Sequence, residues 1–346
     1  MMEKNIHADN HYISQGYLKR WNSSHKEVFV YSILVSHENV PLWKKKSAKG
    51  IAYHPHLYTR KIAGTESDEI EEWFSKEFES PAENVIQKVV SNQRLTPDDW
   101  LKLVRFLAMS DVRTPARLVE HLKTCGQIYS EVLESVLKEL PEKLRNMKKS
   151  NSFPPTAQIP SGILPLRVTT EIKEGEEFGV LKAETAVGRA SWLWSVKYLL
   201  ENTANVLHQH KWTILQPADG MHWFTSDKPV VRLNYYGVGK YDFGGGWGKP
   251  GTELFMLLSP KHLLYTKIGS RPPLRDAILS VEQTRLIRHL LAEHAHRYIF
   301  ANTADVEVPS LIPRTVNTEF FKHKEEQWSK WHAEQSESEE YLLTKG

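Results

Sequence analysis

Cysteine is almost missing from this chain of 346 residues. With Cys125 alone, no intrachain disulfide can form and a cysteine-rich zinc module is excluded. A reducing compartment suits such a chain, and a cytoplasmic location is the expectation. Long apolar runs are missing too: Ser191 to Leu200 is the most hydrophobic stretch, yet it is short and broken by Lys197. Met1 to Asn10 is polar and carries no signal core, so nothing is expected to span a membrane. Neither sign of charge is in excess, with 45 basic against 42 acidic residues and a net charge of +3. That balance neither demands nor excludes nucleic acid, because a local basic face does not show in a total.

Two familiar motifs fail on inspection. The loop Gly244-Gly-Gly-Trp-Gly-Lys-Pro250 has Phe243 where a phosphate-binding loop needs its first glycine, and Pro250 in place of the magnesium-binding Ser or Thr. It reads as a mobile loop. Ser226 has no Gly-x-Ser-x-Gly elbow around it.

What is present has mixed periodicity. Lys26 to Ile33 alternates as a strand does, and Ile70, Trp73, Phe74, Phe78, Val85, Ile86 and Val89 have helical spacing, with a bend or break expected at Pro81. Thr96 followed by Pro97, Asp98 and Asp99 starts a further helix, with a cap, a first-turn proline and acidic residues at the positive end of the dipole. Pro115 disfavours α geometry at Thr114, so that helix should bend or restart there before a long amphipathic helix from 116 to about 149. Later segments read as strands at 212–216, 221–225, 230–236, 253–258, 262–268 and 297–301, with helices at 190–207 and 280–295. The expected fold is α+β, with an N-terminal helical lobe packed on a C-terminal mixed or antiparallel sheet. Its expected divisions are 1–149, a proline-rich linker at 150–162, an α+β lobe at 163–318 and a charged helical tail at 319–346. Trp328 and Trp331 give that tail an apolar edge for a protein partner or a second copy.

The candidate functional residues are polar groups set among apolar ones. On a helix His11 and Gln15 share a face; they suit an acid or base with an orienting amide, or equally two backbone caps. Arg20 suits a phosphate contact or a pairing with a helix carboxylate. Glu79 sits among aromatic residues on its helix. Arg113, at the proline-bent helix end, suits a bidentate anion contact or a buried bridge to Asp227 or Glu79. Thr225, Ser226 and Asp227 form a polar turn between apolar strand ends, pinned by Pro229. They suit a nucleophile and acid, a divalent cation, or a structural turn. His54 and His56 share a face if extended, as do His208 and His210. Lys44, Lys45 and Lys46 with Trp43, Tyr53 and Tyr58 have the basic and aromatic mixture that holds single-stranded nucleic acid.

His11-Tyr-Ile-Ser-Gln-Gly-Tyr-Leu-Lys-Arg-Trp21, Tyr58-Thr59, Phe78-Glu79, Arg113-Thr-Pro115, Phe224-Thr-Ser-Asp-Lys-Pro-Val230, Leu258-Ser-Pro260 and Asn302 occur in that order. Together they resemble the uncharacterised, mainly bacterial family known as domain of unknown function 4238. Asn10 stands where that pattern has a second histidine, and Lys228 where it has an asparagine. The resemblance says which positions belong together and implies no reaction.

The leading expectation is a nuclease-like enzyme acting on a phosphodiester, RNA before DNA, in a pocket between the lobes. His11, Gln15, Glu79, Arg113, Ser226 and Asp227 would be catalytic there. Arg20, Lys44, Lys45, Lys46 and Tyr58 would hold substrate, and Glu79 with Asp227 would take a divalent cation such as magnesium. The alternative is a non-catalytic sensor or toxin-like interaction protein of bacterial defence.

Overall fold

The structure, a computed structural model, describes residues 9–62, 65–150, 166–171, 180–237 and 239–344. The expected linker at 150–162 therefore lies outside the described residues beyond Ser150. The fold is mixed α+β. A first strand, β1 (Asp9–His11), leads into a one-turn helix, α1 (Gln15–Leu18), then β2 (Val28–Ser32), β3 (Trp43–Lys46), β4 (Tyr53–Pro55), β5 (Arg60–Ile62) and β6 (Thr65–Ser67). Helices α2 (Glu69–Phe74), α3 (Ser80–Val90), α4 (Pro97–Val112) and α5 (Pro115–Ser150) follow, and after them α6 (Arg189–Tyr198).

The second half supplies β7 (Thr213–Gln216), β8 (Thr225–Ser226), β9 (Val230–Gly237), β10 (Lys240–Asp242), β11 (Thr252–Ser259), β12 (His262–Lys267) and β13 (Ala277–Ile278). Helix α7 (Val281–His294), strand β14 (Tyr298–Ala301) and a last helix, α8 (Thr318–Thr344), complete it. Six strands form one sheet in the order β10-β9-β11-β12-β7-β13, antiparallel except for the pairing of β7 with β13. Its central strand β11 is buried along nearly its whole length, which is why Leu254 to Leu258 reads as an unbroken apolar run.

A second sheet, β8-β14-β2-β3, is antiparallel and draws strands from both ends of the chain. It thus joins residues on either side of the expected 150–162 linker. One apolar core spans both sheets and the helices, from Trp21 and Leu107 through Trp192 to Met256 and Phe300.

Helix boundaries follow local chemistry. Thr96 Oγ1 accepts from the Asp99 amide and the Asp99 carboxylate accepts from the Thr96 amide, closing a capping box at the start of α4. Ser280 and Gln283 do the same for α7. Between α2 and α3 the chain takes a five-residue π turn, Ser75–Glu79. This wide turn precedes Pro81, which has no N–H for an ordinary α turn to use, so the helix carries on through an irregular turn where a bend or break was expected.

Candidate functional site

Arg113 caps α4 in a bridge-region conformation, with φ −94° and ψ 3°, which turns its side chain into the interior before Pro115 starts α5. The side chain is buried. Its Nη2 lies 2.6 Å from Glu79 Oε1, its Nε donates to the Tyr12 carbonyl at 3.1 Å, and the guanidinium stands 5.5 Å from the centre of the Phe74 ring. The Arg113 carbonyl in turn accepts from the Tyr58 hydroxyl at 2.6 Å, and the Tyr58 amide donates to Asn10 Oδ1. Of the partners expected for Arg113, the structure therefore has Glu79, in a bridge whose arginine is buried and whose carboxylate is partly exposed.

His11 lies beside this knot. Its Nε2 donates to the Lys49 carbonyl at 3.1 Å, which leaves Nδ1 to accept from Gln15 Nε2 at 3.4 Å. Burial lowers its pKa, the Lys49 carbonyl opposes that and the Arg113 charge adds to it, so the ring is neutral.

Glu71 completes the group and was not foreseen. Burial pushes its carboxyl up to about 7, Arg113 draws it down, Glu79 pushes it up again, and the His11 amide donates to it. Its Oε2 is enclosed with no hydrogen-bond partner. Eight residues separate Glu71 from Glu79, which on a regular helix of about 3.6 residues per turn points the two to different sides. The extra residue of the π turn returns them to one face.

A pH effect follows. The folded-state value of Glu71 lies above its ordinary 4.5, so between about pH 4.5 and 7 the native state holds a proton that the unfolded chain has released. Stability falls as pH rises through that window. Glu71→Gln is expected to flatten this fall, measured as urea midpoints at about pH 5 and pH 8. An unchanged slope would assign the fall to other groups.

In the turn after β8, Ser226 and Asp227 are bonded to backbone groups, the arrangement of the structural turn among its expected readings. Ser226 Oγ donates to the Lys228 carbonyl at 3.1 Å and accepts from the Lys228 amide at 3.2 Å. Asp227 is buried; its Oδ1 accepts from the His296 amide at 2.9 Å and its Oδ2 from the Arg297 amide at 2.8 Å. Burial raises the Asp227 pKa, while His296 and the backbone amides pull the other way. These bonds fasten the turn to β14. Tyr12 stands between the two clusters: its carbonyl is on Arg113, and burial together with the Asp227 charge keeps its phenol protonated.

On the other side of Tyr12 opens a cleft of about 880 Å³, within the range of about 300–1,000 Å³ of small-ligand sites. The β2–β3 ribbon, β4, the 296–298 segment and helix α8 form its walls. Side chains alternate along a strand, so Lys44 and Lys46 line the cleft while Lys45 lies over the Phe29 ring at 5.3 Å. Arg297 adds a third cation, and Tyr53, Tyr298, Phe321 and Trp328 supply aromatic faces. Of the carboxylates in the lining, Asp227 is held by amides, which leaves Glu325.

His54 is a lining histidine held through one ring nitrogen. Its Nδ1 donates to the Pro55 carbonyl at 2.8 Å, which leaves Nε2 with a bare lone pair, and its ring centre is 4.2 Å from that of Trp328. Burial lowers its pKa, the Pro55 carbonyl opposes this and Arg297 adds to it. The ring is neutral and basic at Nε2.

Several expected site residues stand elsewhere. Arg20 bonds the Gly16 carbonyl at 2.7 Å and Glu83 at 3.2 Å, and Tyr58 is in the core. His11, Gln15, Glu79 and Arg113 are together but do not line the cleft; Asp227 lines it without them. Among the described residues, the group of three with metal-ligand atoms close together is His56, Glu66 and His332, to which neither Glu79 nor Asp227 belongs. Also among the described residues, no helix is long and apolar enough to cross a membrane.

The model of a family described as proteins of unknown function, DUF4238, matches residues 9–305. The chain belongs to the DUF4238 family. No curated protein and no solved structure matches it. The DUF4238 span holds the Arg113 knot, the Asp227 turn and the strand walls of the cleft, while the wall formed by α8 lies beyond it.

Proposed function

We propose that this DUF4238 protein is an enzyme that binds single-stranded RNA in the cleft and cleaves its phosphodiester. The observation that supports this reading is the lining itself, in which Lys44, Lys46 and Arg297 stand among Tyr53, Tyr298 and Trp328 beside a neutral histidine with a bare nitrogen. Cations take the phosphates and the aromatic faces take unstacked bases. His54 Nε2 accepts the proton of a ribose 2′-hydroxyl as its oxygen attacks the adjacent phosphorus. The bond to the 5′ oxygen breaks, that oxygen takes a proton from solvent, and a 2′,3′-cyclic phosphate and a 5′-hydroxyl remain. The lysines and Arg297 stabilise the charge that gathers on the phosphoryl oxygens.

This route needs a 2′-hydroxyl, so RNA is expected to be cut and DNA of the same sequence bound but left intact, with or without magnesium. His54→Ala is expected to slow cleavage at least ~10²-fold with RNA affinity unchanged. Lys44→Ala with Lys46→Ala should instead weaken binding and lower the salt slope by about 1.4, at roughly 0.7 per contact on a single strand. Absence of cleavage in the wild type and in both variants would remove the enzyme reading. One observation favours the second reading, a sensor or toxin-like interaction protein of bacterial defence: Glu79, Arg113, Ser226 and Asp227 are all engaged with protein groups.

A further inference from the structure

At one end of the cleft His56, which follows β4, and Glu66 on β6 meet His332 on α8. Each offers one ligand atom, and the three atoms lie within 4.8 Å of one another. His332 Nε2 is 2.9 Å from Glu66 Oε1, and the rings of His56 and His332 stack with centres 4.0 Å apart and planes 16° from parallel.

Two features of His56 serve no bond within the described protein. Its Nδ1 is enclosed and has no hydrogen-bond partner, although a buried imidazole nitrogen normally finds one. Its backbone has φ +54°, a left-handed conformation that residues with a side chain rarely adopt. Strain of this kind persists where the surroundings impose it, and it concentrates at ligand sites. The neighbouring charge is already balanced: Arg189 is bidentate to Glu339 at 3.0 and 2.8 Å, so the Glu66 carboxylate is not its partner.

We propose that His56, Glu66 and His332 bind one divalent transition-metal ion, with zinc the best match, whose remaining position opens to the cleft. Two imidazoles and one carboxylate are the donor set of open zinc sites. Bonds of about 2.0–2.2 Å place tetrahedral donors roughly 3.3 Å apart, so to close on an ion the three atoms, now within 4.8 Å of one another, draw together and the stacked rings turn out of parallel. Nδ1 of His332 now accepts from Arg189 Nη1 at 2.8 Å, and its Nε2 proton goes to Glu66. On binding, the ring carries its proton on Nδ1 and offers Nε2 to the metal, so Arg189 Nη1, which can only donate, has to turn off Nδ1. Arg189 keeps Glu339 and the His56 carbonyl, which it already reaches at 3.3 Å. No net proton leaves His332.

The inference is independent of the RNA reading, because zinc binding is measured on the protein alone. The full chain, stripped with a chelator, is titrated with zinc in a calorimeter and with cobalt(II) in a spectrophotometer. One tight zinc site and the strong visible band of tetrahedral cobalt are expected. Because the chain has sixteen histidines, the deciding quantity is the difference between proteins. His56→Asn and His332→Asn should lower the affinity of the tight site by at least ~10²-fold and abolish the band. Glu66→Gln, which keeps the size and a hydrogen-bonding oxygen and so preserves the fold, should lower it by at least ~10-fold. A wild type without the cobalt band, or equal zinc affinity in the wild type and Glu66→Gln, overturns the proposal.

Discussion

Arg113→Ala is expected to lower the free energy of unfolding by about 3–5 kcal/mol, the scale on which a buried ion pair fails when one partner is removed. Domains have only about 5–15 kcal/mol in total, so this change alone takes a large share of the stability. Its size comes from what is left behind. Glu79 loses the group 2.6 Å away, the Tyr12 carbonyl loses its donor, and the Phe74 ring loses the guanidinium above it. Glu71 also loses the one charge that holds its pKa down. Arg113→Lys should cost less, because an ammonium can keep Glu79 but lacks the second nitrogen that reaches Tyr12. Urea unfolding at neutral pH measures both. A loss below about 1 kcal/mol for Arg113→Ala would mean that the knot is not what fastens β1 and α1 to the helices, and would return Arg113 to the candidates for ligand contact.

How much of this was legible depends on the range of the interactions involved. Thr96, Asp99 and Pro97 act within one turn, so the start of α4 could be read from the residues, as could the restart at Pro115. Helix α7, expected at 280–295 from its spacing, is capped in the same way by Ser280 and runs from Val281 to His294. Strand segments were harder. Of the expected strand at 221–225 only Thr225 is paired, because Trp223 and Phe224 are apolar through core packing and not through sheet alternation. The pairing of β2 with β14 spans more than 260 residues and has no local signature.

The site followed the same rule. His11 and Gln15 do meet, though not on the single helix expected, since His11 ends β1 and Gln15 starts α1, whereas Glu71 was hidden by a π turn that shifts the helical phase. Lys44 and Lys46 part from Lys45 only once β3 is known to be a strand. One wall of the cleft comes from α8, and Trp328 and Trp331, expected to face a partner, pack against the core.

The other large effect belongs to Asp111, which the sequence did not single out. It is fully buried at the end of α4, where Oδ2 accepts from Trp247 Nε1 at 2.9 Å. Arg117 on α5 and Arg232 on β9 each bring Nε to within 3.5 Å of its carboxylate. Burial alone would raise its pKa, but the two guanidinium groups and Trp247 outweigh that and hold it below the ordinary value. Glu120 shares Arg117 and takes Lys228 at 2.7 Å, which brings its pKa down to about 2.

This network ties the glycine loop down instead of leaving it mobile. Trp247 is buried, its carbonyl accepts from His210 Nε2 at 2.7 Å, and Gly245 lies so close to β9 and β11 that an added Cβ would sit 3.0 Å from the Arg232 carbonyl and 2.5 Å from Thr252 Cγ2. Asp111→Ala therefore leaves two guanidinium groups sharing one fewer anion and an indole N–H without its acceptor. The expected loss is about 3–5 kcal/mol. Asp111→Asn keeps an oxygen for Trp247 and should cost less than the alanine.

The two carboxylates also set the acid limb. Both have folded-state values below their ordinary ones, so their contribution is present above about pH 4.5 and is lost as pH falls towards 2. Glu120→Gln and Asp111→Asn should each lower the plateau above about pH 4.5 and flatten the limb below it. Urea midpoints measured from about pH 2 to 7 separate the two effects, and an acid limb unchanged by either substitution would show that the fold is held at this corner by packing of Trp247 and not by charge.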